Sequence, residues 1–133
     1  MTPQQKIKYL VLVRDRELYL DRYPFAGPID ADNLDKLWSD LEDSGDQYDA
    51  MGEVRGGDVE TGLKAPYSRH YESKSVAAQY IDGSWVGWTY WYGGGKHGEP
   101  DAIDWIDDAY DLNCTEEEKV VTVRTFSVVE PVQ

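Results

Sequence analysis

A single cysteine, Cys114, leaves this chain without an internal disulfide. Histidine is nearly as scarce: His70 and His97 stand alone, and no spacing sets them on one helical face as a paired metal site requires. Long apolar runs are missing too, since YLVLV at 9 to 13 falls far short of the ~20 residues that cross a bilayer. The opening MTPQQKIKYL has no apolar stretch of the secretory type, so a reducing cytoplasm is the expected location. The most consequential shortage is of positive charge. Thirteen bases face 26 acids, a net charge of −13, which repels nucleic acid backbones and anionic membranes and favours basic protein surfaces as partners.

The acids are concentrated. Residues 21 to 60 hold 12 acids and three bases (Arg22, Lys36, Arg55), and residues 99 to 118 hold nine acids and no base. With 133 residues the chain fits one domain with one core, and its two ends, about 1–5 and 130–133, are expected to be loose.

KIKYLVLV and ELYL, separated by Arg14-Asp15-Arg16, read as a short hairpin. IDADNLDKLWSDLEDSG reads as a helix, with Leu34, Leu37, Trp38 and Leu41 on one face, Asp30 as N-cap and Gly45 beyond the end. Its last turn carries Asp40, Glu42 and Asp43, the wrong sign for the negative end of a helix. A short strand is expected near Met51 to Val54. YSRHYESKSVAAQY, Asp82-Gly83 and SWVGWTYWY form the strongest hairpin signal. Its second arm is apolar on both faces, Trp85, Gly87, Thr89 and Trp91 against Val86, Trp88, Tyr90 and Tyr92, as a central strand requires.

PDAIDWIDDAYDL predicts a second helix with Pro100 in its first turn and Ile103, Ile106 and Tyr110 inward. Thr115 to Glu118 has the form of a capping box, and VVTVRTFSVV predicts a last strand ending near Val129. The sum is an α+β domain, an antiparallel sheet packed on two acidic amphipathic helices. Its edge strands, the N-terminal hairpin or the last strand, are able to pair between chains.

Three sites come into question. Gly93, Gly95 and Gly98 match G-x-G-x-x-G, but the strands flanking it are antiparallel and the next helix opens with Glu99 and Asp101, so the run reads as a tight turn and not a phosphate cradle. Asp40, Glu42, Ser44 and Gly45 echo half of an EF-hand loop whose twelfth position is Met51, so no metal and no cofactor are expected. Trp85, Trp88, Tyr90, Trp91 and Tyr92 offer an alternative platform for a small ligand or carbohydrate, though five aromatics on a central strand more often build core. A small hydrolase or metalloenzyme around His70, His97 and nearby acids is the remaining alternative; no catalytic residue stands out.

The acidic blocks carry the leading reading. On a helix, Asp101, Asp104, Asp108 and Asp111, with Asp107 on the flank, form a ridge of about 15 Å with one charge per ~4 Å, close to the ~3.4 Å between phosphates of one DNA strand. Asp32, Asp35, Asp40, Glu42 and Asp43 give a similar density. The stretch 67–126, above all GSWVGWTYWYGGGKHGEPDAIDWIDDAYDL, resembles small uncharacterised proteins of phages, plasmids and prophage regions. That resemblance implies a setting in which small acidic proteins block host factors, restriction and other defence enzymes among them. The expected function is therefore non-enzymatic: these acids bind a basic surface of a host nucleic-acid-binding protein, as a DNA mimic or anti-defence inhibitor, without contacting nucleic acid or membrane directly.

Overall fold

The computed structural model describes residues 1–130; residues 131–133 of the loose C-terminal end expected above lie outside them. Among the described residues the three α-helices precede the sheet. They are α1 (Pro3–Leu18), α2 (Leu34–Ser44) and α3 (Tyr48–Val54), and the strands β1 (Val59–Glu60), β2 (Glu72–Gln79), β3 (Trp85–Tyr92) and β4 (Tyr110–Leu112) follow as an antiparallel meander in the order β1-β2-β3-β4. Helices first and strands afterwards give an α+β domain.

The first correction concerns the N-terminal hairpin, which is α1. Thr2 and Gln5 form a reciprocal capping box, with Gln5 N donating to Thr2 Oγ1 at 3.1 Å and Thr2 N to Gln5 Oε1 at 2.9 Å, and Pro3 occupies the first turn. The end expected to be loose thus holds the start signal of a helix. Ile7 and Val11 are fully buried and Tyr9, Leu10 and Leu12 pack around them. A helix enclosed on several sides shows a nearly continuous apolar run, and that pattern alone does not separate it from a strand.

α2 follows its prediction: Leu34, Trp38 and Leu41 are buried and Gly45 closes the helix with φ 73°. Asp30 acts one turn earlier than expected, its Oδ1 accepting from the amides of Asp32 and Asn33, so that Asn33 precedes the first helical residue. The strand expected near Met51 to Val54 is α3, which lays Ala50 against the core next to α1. The hairpin pairs Glu72 with Tyr92 through to Gln79 with Trp85, and Gly83 in the turn has φ 89°.

β3 is central, between β2 and β4. Val76, Ala78, Val86 and Trp88 point to the helices and join Ile7, Val11 and Leu34 in one core. On the opposite face Tyr110 lies over Gly87 and its hydroxyl meets Ser75 Oγ at 2.7 Å. Gly87 is needed there, since a Cβ would stand 2.6 Å from Leu112 Cδ1 and 2.8 Å from Tyr110 Cε2.

The second helix predicted over 100–112 does not form. Pro100–Ala102 make a single 3-10 turn and Tyr110–Leu112 pair with β3. Asp104 explains part of the difference: its Oδ1 accepts from the amides of Ile106 and Asp107 at 3.2 and 3.3 Å, the local competition with helix for which aspartate is known. The open edge of β3 takes the residues that follow. The last strand is absent as well, and neither a capping-box turn at 115–118 nor a strand over 120–129 is present; residues 113–130 are irregular and, from Asn113 on, exposed.

Gly87→Val is expected to lower stability by about 1–3 kcal/mol, because overpacking displaces Tyr110 and Leu112. Gly52→Ala in α3, where an added Cβ meets open space, is expected to raise it by about 0.5–1 kcal/mol. Urea denaturation of the two variants beside the parent measures both.

Candidate functional site

The acids of 101–111 lie on an anchored loop instead of a helix ridge, so the regular spacing expected of them is replaced by one set by the core. Trp105, Ile106 and Ala109 are buried, and Trp105 packs against Trp88 with centroids 5.4 Å apart. Gln4 of α1 fastens the loop from the other side, its Nε2 donating to the carbonyls of Asp107 at 3.0 Å and Ala109 at 3.3 Å. Between these anchors Asp101, Asp104, Asp107 and Asp108 remain exposed. Asp111 is partly neutralised by Lys6 Nζ at 2.9 Å. Asp107 is held above its ordinary carboxylate value, first by the hydrogen bond it shares with the Asp104 carboxyl and then by the nearby charge of Asp104.

The second block lies on α2. Asp35, Asp40, Glu42 and Asp43 line its exposed side, and Asp32 lies in the turn before it. Only Lys36, 2.9 Å from Asp40, answers them within the helix. No base stands in the last turn, so Glu42 and Asp43 face the negative end of the helix dipole unrelieved. Both blocks adjoin α1. Lys8 Nζ lies 5.7 Å from the Trp38 ring of α2, and its charge also draws the Asp107 carboxyl partly back down. The acidic loop and the acidic helix therefore flank the same stretch of α1.

β3 divides the aromatic cluster. Trp88 is fully buried, with its Nε1 donating to Arg55 O at 2.8 Å. Tyr90 and Tyr92 stack at 5.6 Å on the helix side, where Arg55 and Lys74 already lie over the rings. Trp85 and Trp91 are on the other face, six residues apart and thus separated by roughly 20 Å along the strand. No single platform unites the five. The glycine run is a turn: Gly93, Gly94 and Gly95 have φ of 76°, 88° and 70°, the Tyr71 ring fills the space beside Gly94, and Tyr71 Oη accepts from Glu99 N at 3.2 Å. His70 and His97 are exposed, and among the described residues no three His, Cys, Asp or Glu side chains are grouped as metal ligands.

No family model, curated protein or solved structure matches this chain. Among the described residues no helix is long and apolar enough to cross a membrane.

One polar cluster escaped the sequence reading. Asp15 of α1 is fully buried; its Oδ2 accepts the Tyr23 hydroxyl, while Oδ1 has no hydrogen bond and faces Arg22 Nη1 at 3.7 Å. Arg22 also reaches Asp46 at 3.7 Å and lies 3.8 Å over the Tyr19 ring, and Tyr19 donates to Asp49 of α3. A cavity of about 240 Å³ lined by Arg16, Arg22, Tyr23, Asp40 and Asp46 adjoins it. The one signal for this cluster is that Asp15 continues the Ile7, Val11 spacing, which puts a carboxylate in line with a buried stripe.

Burial and the Asp15 carboxylate push the Tyr23 hydroxyl up to about 12 from its ordinary 10.0. A raised value favours the protonated phenol in the folded state, so this contribution is complete below pH 10 and is lost as pH rises toward 12. Tyr23→Phe is expected to remove that part of the alkaline loss while lowering stability at neutral pH, since Asp15 loses its donor. Chemical denaturation of both proteins across this pH window is the check.

Proposed function

We propose that this protein is a non-enzymatic binding protein whose acidic surface occupies a basic, nucleic-acid-binding surface of a host protein in the cytoplasm, in the manner of a DNA mimic. The observation that carries this reading is that Asp101, Asp104, Asp107 and Asp108 stand exposed on a loop clasped to α1 by Gln4, while Asp35, Asp40, Glu42 and Asp43 stand exposed on α2, whose Trp38 also lies against α1 at Lys8. Asp111, engaged by Lys6, contributes less. Crowding of Asp104 with Asp107 and the uncapped charge at the end of α2 both cost stability in the free protein, and an arriving cationic surface relieves both. The ligand-platform alternative has less support, because Arg55 and Lys74 occupy the tyrosine faces and the two remaining tryptophans are far apart.

The test is capture from bacterial lysate with the parent chain and with an Asp104→Lys, Asp107→Lys, Asp108→Lys variant, followed by DNA competition on each captured protein. The reading expects a nucleic-acid-binding protein that duplex DNA displaces, that elutes with salt, and that binds the variant roughly a hundredfold more weakly or worse, as loss of several complementary charges implies. Equal binding by both forms, or no displacement by DNA, overturns it.

A further inference from the structure

Residues 119–129, KVVTVRTFSVV, have the composition of a strand and pair with no strand of the described residues. Val120, Val121, Val123, Phe126, Val128 and Val129 are all three-quarters or more exposed. An unpaired β-branched run of this length exposes apolar side chains and ladder groups that folded proteins ordinarily cover. An edge able to receive it is present in the same fold: β4 pairs with β3 on one side and with no strand of the described residues on the other.

We propose that residues 119–129 of one copy add as a fifth strand to the free edge of β4 in a second copy, the exchange being reciprocal and closing a two-fold dimer. Charge selects the second copy as the occupant. The segment carries Lys119 and Arg124 and no acid, on a chain whose net charge is −13, so the surface most complementary to it is the body of the same protein. Asp111 stands at the middle of the receiving strand with its side chain 59% exposed despite Lys6. An antiparallel register that sets Arg124 opposite Asp111 sets Val123 opposite Leu112 and Thr125 opposite Tyr110, continuing the face on which Trp85 adjoins Leu112.

The connection favours exchange over folding back. Residues 113–118 reach at most about 20 Å when extended, and Glu116, Glu117 and Glu118 are repelled by the acids around Asp108 and Asp111, which keeps the spacer stretched away from its own body. Reciprocal addition makes each interface the same patch on both copies and leaves neither β4 edge open.

Sedimentation equilibrium of the full chain over a wide concentration range, with hydrogen exchange at the amides of 119–129, tests this. The expected result is twice the 15.2 kDa chain mass with those amides protected. Arg124→Pro, which removes the ladder donor opposite Asp111 in a segment that packs on nothing in its own fold, is expected to leave the circular dichroism of the body unchanged, to weaken dimerisation roughly tenfold or more, and to expose the amides. A chain that stays at the single-chain mass overturns the proposal, whether the tail amides are open or protected by pairing with its own sheet. So does a dimer that Arg124→Pro leaves intact.

Discussion

The contact between Trp88 and Trp105 ties the sheet to the acidic loop. Trp88 sits on the central strand, fully buried, opposite Val76 of β2 and against the ring of Trp105 from the acidic loop, while its indole N–H is taken by the last carbonyl region of α3 at Arg55. Sheet, helix and loop therefore converge on one side chain. Arg55 completes the arrangement by donating back to Trp91 O and lying over Tyr90. Because Trp105 is pinned there, the aspartates on either side of it can be displayed outward without a helix beneath them.

The few bases are used in a way that makes the acidic surplus more pronounced. Lys6 joins α1 to β4, Arg14 joins α1 to α3 through Glu53, Arg22 bridges Asp15 and Asp46, and Lys74 ties β2 to β1 through Glu60. Each of these cations joins separate parts of the fold. The exposed pairs add little stability individually, but Arg22 beside the buried Asp15 matters more, since an uncompensated charge there is strongly destabilising. Having been drawn into the joints of the fold, these cations are not free to neutralise the surface of α2 or of the 101–108 loop. The protein's outward charge is thus more acidic in those places than its composition alone implies.

Local signals were legible where they dictated local structure. Asp82-Gly83 fixed the hairpin, the double-sided apolar pattern of 85–92 placed β3 at the centre, and Leu34, Trp38, Leu41 with Gly45 defined α2. Elements decided by their neighbours were not legible. α1 is apolar on several sides because helices and sheet surround it, which imitates a strand, and the Thr2-Pro3-Gln5 start signal is what distinguishes it. Over 100–112 the helical spacing of Ile103, Ile106 and Tyr110 was genuine, yet Asp104 capped its own local turn and the vacant edge of β3 drew Tyr110–Leu112 into the sheet. Of the candidate site, the identity of the acids was readable and their arrangement was not, because the Gln4 clasp that holds the loop belongs to a helix that the pattern did not reveal.

That arrangement changes what the acids can do. On a helix their spacing would follow the backbone rise, and a partner would meet a rigid ruler of charge. On the loop, spacing follows from burial of Trp105 and Ile106 on one side and from the Gln4 clasp on the other, so Asp104 and Asp107 come close enough to share a hydrogen bond and hold a carboxyl above its ordinary value. Repulsion of this kind penalises the free protein and disappears when a cation arrives between the two groups, which concentrates the gain from binding at that point. Lys8 provides a partial version of the same relief from within the chain. A guanidinium, able to engage both carboxylates at once, matches the pair better than an ammonium held at a distance, so under the proposed function arginine would suit this loop better than lysine.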